Sequence, residues 1–99
     1  MPVTRITSAQ NALYKQVKRL IADRGFRRER GEFAAEGKRL FADALASGLA
    51  PRAVLLDERL DPVEYEPLGA PVYVLPQAMM TALSDTKTPQ GVAGVFPIP

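Results

Sequence analysis

Residues 31–40 read Gly31-Glu32-Phe33-Ala34-Ala35-Glu36-Gly37-Lys38-Arg39-Leu40, and the reading of this stretch decides the fold class. Its short apolar centre between two glutamates suits a strand. Gly37 then marks the turn into a helix over residues 38–47, with Leu40, Phe41, Ala44 and Leu45 as its apolar stripe and Gly48 as its stop. Upstream, Thr7 and Gln10 have the capping-box spacing, which predicts a first helix from Thr7 or Ser8 with Leu13, Val17, Leu20 and Ile21 on its buried face. Gly25 is placed to end that helix in a left-handed conformation, and the basic residues 26–31 follow. Downstream, the apolar runs at residues 53–56 and 72–75 suit strands covered on both faces, and Pro62, Pro67 and Pro71 impose an irregular connection between them. A helix over residues 76–83 and a strand over residues 92–96 complete the order α-β-α-β-β-α-β. That order predicts an α/β domain on a sheet of about four strands.

At 99 residues, 46% hydrophobic and 24% charged, the chain has the balance of one globular domain with a modest core. No apolar run is long enough to span a bilayer. The opening MPVTRITSAQ lacks the order of a signal peptide, so the expected address is the cytoplasm, without membrane contact. Cysteine, histidine and tryptophan are absent. Disulfide scaffolds, thiolate or imidazole metal sites and Ser/His/Asp triads therefore have no residues to build them. The only chemistry left is that of carboxylates, as acid and base or as oxygen ligands to magnesium. Glu32 and Glu36 flank the short strand, while Asp57, Glu58 and Asp61 read as a solvated turn.

The overall charge of +2 conceals a division. Residues 1–31 hold eight cations against two acids, a net +6, and residues 32–99 hold five against nine, a net −4. Clustered cations concentrate polyanions and release counterions from a phosphate backbone, so nucleic acid is the expected partner. Lys15, Lys18 and Arg19 lie off the apolar stripe of the first helix, and Arg27 and Arg28 follow in the basic segment. The plainer reading is a solvated helix face.

Three stretches in register narrow the choice: Ile6-Thr7-Ser8-Ala9-Gln10-Asn11, residues 31–40, and Leu83-Ser84-Asp85-Thr86-Lys87-Thr88-Pro89-Gln90-Gly91-Val92. Together they resemble the substrate-binding domain that precedes the catalytic domain in SpoU-type (TrmH-like) RNA 2′-O-ribose methyltransferases, including the thiostrepton-resistance enzymes. Asn11-Ala12 departs from the Asn-Pro frequent there, which leaves the start of the first helix open. The resemblance implies a three-layer α/β/α sandwich of the ribosomal protein L30e kind over residues 1–99. It also implies an RNA partner, and a knotted catalytic domain beyond residue 99 that binds S-adenosylmethionine and forms the parent homodimer. No catalytic, cofactor-binding or metal-ligating residue is expected in the 99 residues themselves. Phe96-Pro97-Ile98-Pro99 reads as a linker into that further chain.

Glu36-Gly37-Lys38-Arg39 falls at a strand-to-helix junction, where free N–H groups and the helix dipole favour a phosphate and Arg39 can fork onto oxygens or a guanine edge. Glu36 as a mere helix cap and Gly37 as a mere turn are the structural alternative. The candidate RNA-binding set is Arg5, Asn11, Lys15, Lys18, Arg19, Arg27, Arg28, Glu36, Gly37, Lys38, Arg39 and Lys87. A free-standing L30e-like RNA-binding protein and a protein-interaction or dimerisation domain are the other functions this sequence accommodates.

Overall fold

In the computed structural model, which describes residues 3–83 and 91–99, alternation along one buried strand organises everything else. β3 (Ala53–Asp57) is buried at every residue. Ala53 and Leu55 face one core, while Val54 and Leu56 face another on the opposite side of the sheet. A strand covered on both faces needs helices on both, and the chain supplies them. α1 (Ala12–Ala22) and α4 (Gln77–Ala82) pack on one face through Tyr14, Val17, Leu20 and Met80. α3 (Lys38–Ala46) and a 3₁₀ helix (Pro62–Leu68) cover the other through Phe41, Ala44, Tyr65 and Leu68. Pro62–Leu68 is thus more regular than the irregular connection its prolines suggest.

The sheet has five strands, not about four, in the order β1-β4-β3-β5-β2. The additional one is β1 (Val3–Arg5), a fully exposed edge strand paired parallel to β4 (Val72–Leu75). Three exposed residues carry no alternation, so only their backbone pairing defines them as a strand. β5 (Val92–Pro97) runs antiparallel to both β3 and β2 (Glu32–Glu36). The C-terminal ends of β1 to β4 and the start of β5 therefore share one end of the sheet, which brings Gly91 beside the turn after β2. Gly37 N–H donates to the Val92 carbonyl there, at 2.8 Å.

The first helix begins later than its hydroxyls suggest. The Asn11 side chain, not that of Thr7 or Ser8, caps α1 by accepting from the Tyr14 N–H at 3.1 Å. Nor does Gly25 end it. The chain breaks at Asp23, whose carboxylate accepts from the Phe26 N–H and starts a separate α2 (Arg24–Arg30) around Gly25. The left-handed residue is Gly31, with φ 65°.

Candidate nucleic-acid interface

Each cation of the basic segment either binds its own protein or remains available, and the geometry separates the two. On α1, Lys15, Lys18 and Arg19 share the exposed outer face, as their i, i+3, i+4 spacing dictates. Arg19 lies 4.2 Å over the Phe26 ring, 3.6 Å from the Asp23 carboxylate. This contact joins α1 to α2. Lys15 Nζ is 3.3 Å from Gln10 Oε1, a neutral partner that leaves the charge uncompensated. Lys18, Arg24 and Arg28 are exposed and make no ion pair or side-chain hydrogen bond among the described residues.

Arg27 and Asn11 behave differently from the binding residues the sequence suggests. Arg27 Nη1 donates to the Leu20 and Ile21 carbonyls at 2.7 and 3.1 Å, satisfying the C-terminal carbonyls of α1 and holding α2 against it. Arg27→Ala is therefore expected to cost about 1.5–3 kcal/mol of stability, the worth of a charge-assisted hydrogen bond. Arg28→Ala is expected to cost under about 0.5. Thermal denaturation of the two variants checks the difference. Asn11 is occupied as the α1 cap. Tyr14, near the basic segment in sequence, is buried, and its hydroxyl donates to the Met79 carbonyl at 2.7 Å, so it offers no stacking surface. Half-buried Phe26 lies under Arg19, with Arg30 5.8 Å from its ring centre.

The second cluster begins α3. Gly37 is its N-cap, with φ 93° and ψ 157°, a backbone region open to glycine alone, and has no side chain of its own to cap the helix. Lys38 and Arg39 occupy the exposed first turn, where the N–H groups of a helix start and the helix dipole favour an anion. Arg39 has no side-chain partner among the described residues. Arg5, at the same sheet end, is paired with Glu58 at 2.7 Å. Lys87 lies outside the described residues.

Glu32 and Asp57 are structural. Glu32 accepts from Gln16, Arg30 and Arg52 at 2.9, 3.2 and 2.8 Å, tying α1, the end of α2 and the entry to β3 to one carboxylate. Burial alone would raise its pKa, but the hydrogen bonds and charges of Arg52 and Arg30 hold it below the ordinary glutamate value. Asp57 is buried instead of lying in a solvated turn. The two-pronged hydrogen bond from Arg59 lowers its pKa against the opposing effect of burial. Folded pKa values below the unfolded ones mean stability that is complete above about pH 4–5 and lost as pH falls through the depressed values. Glu32→Gln is expected to cost about 1–3 kcal/mol at pH 7 and to lose less stability than the parent between pH 5 and pH 2, measured by urea denaturation. Among the described residues no group of three or more acidic side chains could hold a metal ion, and no helix is long and apolar enough to cross a membrane.

Residues 11–94 match the MRM3-like substrate binding domain family. The chain belongs to that family. Among relatives of this MRM3-like domain, the mouse mitochondrial rRNA methyltransferase 3 is 34% identical over 88 residues, covering 81% of this chain and 20% of that protein. The 23S rRNA (guanosine(2553)-2'-O)-methyltransferase RlmP of Bacillus subtilis is 32% identical over 96% of this chain and 38% of its own length. The MRM3-like domain thus spans between a fifth and two fifths of these relatives. A crystal structure of an RNA 2'-O ribose methyltransferase superposes with a TM-score of 0.80 at 28% identity, covering 97% of this chain and 38% of the other. An AdoMet-bound rRNA methyltransferase from Sinorhizobium meliloti gives 0.77 at 25% identity.

Proposed function

We propose that this MRM3-like domain is the RNA-recognition domain of an S-adenosylmethionine-dependent rRNA 2′-O-ribose methyltransferase, built as an L30e-like sandwich. One observation carries this reading. Arg5, Arg19, Arg27, Arg30, Arg52 and Arg59 are spent on the protein's own carboxylates and carbonyls, whereas Lys18, Arg24 and Arg28 are presented outward on adjoining helices. Unpaired guanidinium and ammonium groups on two adjoining helices are suited to phosphates, and the start of α3 adds a second anion-seeking element with Arg39. On the basic helices RNA shape and backbone geometry, not stacking, are the readout, since Tyr14 is buried and Phe26 is covered.

The relatives named for methyl transfer are much longer than this chain, and one is named as bound to AdoMet. The methyl donor, its binding site and the homodimer contact belong, in this reading, to a further domain of the parent. The role of these residues is to hold the RNA, and a cytoplasmic address is part of the same reading. The test is affinity for a structured rRNA fragment across a salt series. A linear fall of log affinity with log salt is expected, and binding absent at low salt rejects the proposal.

A further inference from the structure

The stripe on α3 has one member out of place. Phe41 and Ala44 are buried and Leu45 is half-buried, but Leu40 is 57% exposed. It overhangs β2, an edge strand of the sheet among the described residues. Two adjoining hollows open there and share Phe33, Ala34 and Leu40. One, of about 380 Å³, is walled by Leu40, Ala44 and Leu49 with Asp43 and Ser47 at its polar side. The other, of about 350 Å³, reaches Leu20, Ile21, Arg27 and Glu36.

The edge itself has hydrogen-bonding capacity. Gly37 donates to Val92, and Ile98 donates to the Gly31 carbonyl, so the bonded pairs with β5 fall at odd positions of β2. Alternation in an antiparallel ladder then turns the Ala34 N–H and C=O outward, into the trough. The Asp43 carboxylate makes no ion pair or hydrogen bond among the described residues. The charges inside are Glu36, Asp43 and an Arg27 already bound to carbonyls, whereas the uncommitted cations Arg24, Arg28 and Arg39 lie on the helices that flank the trough.

We propose that this trough holds an unpaired nucleobase of the RNA, with guanine preferred, an inference that rests on the RNA-binding reading above. The Asp43 carboxylate repels phosphate, and the flanking cations attract it, so an RNA strand crossing here keeps its backbone outside and offers the apolar trough its base. Leu40 and Phe33 present apolar surface to the base faces, and Ala34 presents a donor and an acceptor to its edge. Asp43 only accepts, and guanine alone among the bases sets two donors, N1–H and the 2-amino group, side by side.

The experiment measures affinity for two RNAs, a perfectly paired helix and the same helix with an unpaired guanosine. Leu40→Ala, which removes an exposed side chain, is expected to weaken binding of the bulged RNA roughly 5- to 100-fold and to leave the paired helix unchanged. Replacing the unpaired guanosine by inosine, which lacks the 2-amino group, should weaken binding to the parent but not to Asp43→Ala. If Leu40→Ala binds the bulged RNA as the parent does, the inference is overturned and the trough suits an extended polypeptide added to the free edge of β2. If the parent binds neither RNA at low salt, the RNA-binding reading itself has failed.

Discussion

Gly94→Val is expected to unfold the domain under conditions where the parent is stable, and Gly94→Ala to lower its melting temperature by about 10–20 °C. Gly94 sits inside β5, in the middle of the sheet. A Cβ there would lie 2.6 Å from Phe41 Cε1 and 2.7 Å from Phe96 Cε1, closer than carbon atoms approach. Neither ring can step aside. Phe41 meets Phe96 edge-on at 5.5 Å and Tyr65 at 5.8 Å, while Phe96 stacks on Phe33 at 5.7 Å. A methyl group must therefore push α3 off the sheet, at the roughly 1–3 kcal/mol typical of overpacking, and the larger valine costs more than a domain of about 5–15 kcal/mol tolerates. Thermal denaturation of the alanine variant checks this. An unchanged midpoint would mean that α3 slides freely and that the four rings do not form a rigid unit.

Replacing Lys18, Arg24 and Arg28 together by glutamine is expected to weaken RNA binding roughly ten- to a hundredfold. The slope of log affinity against log salt should also fall by roughly 2 to 3, since each phosphate contact contributes roughly 0.7 to 0.9. The fold should be spared, because all three are exposed and make no ion pair or side-chain hydrogen bond among the described residues that the change would break. Both quantities come from one salt titration, with the circular dichroism spectrum as control. An unchanged slope would show that the basic face is only solvated, the behaviour expected of a protein-interaction domain.

The candidate site was partly legible in the sequence. The concentration of cations in residues 1–31 pointed to this surface because net charge is additive along the chain. Which cations are available was not legible. Arg27 and Arg28 look equivalent as neighbours, yet one side chain turns back onto the Leu20 and Ile21 carbonyls and the other faces outward. Arg24, absent from the candidate set, is as available as Arg28. A helix placed over residues 24–30 would have found it, since i and i+4 share a face. That helix was hidden by Gly25, read as a stop when the break is at Asp23.

The sequence by itself determined the α/β class, the strands near residues 33, 54, 73 and 94, the helix after Gly37 and the division of charge. These follow from local periodicity, from turn residues and from composition, each contained within a few neighbouring positions. Only the tertiary structure decided that Val3–Arg5 completes a five-stranded sheet, that Glu32 is held by both Arg30 and Arg52, and that Leu40 overhangs an open edge. Each of those depends on residues remote in sequence: Val72 opposite Val3, Arg52 against Glu32, and the end of the sheet at β2. A strand without alternation, a charge without its partner and an apolar residue at the margin of a stripe take their roles from what packs beside them, and packing of that range is settled only when the chain folds.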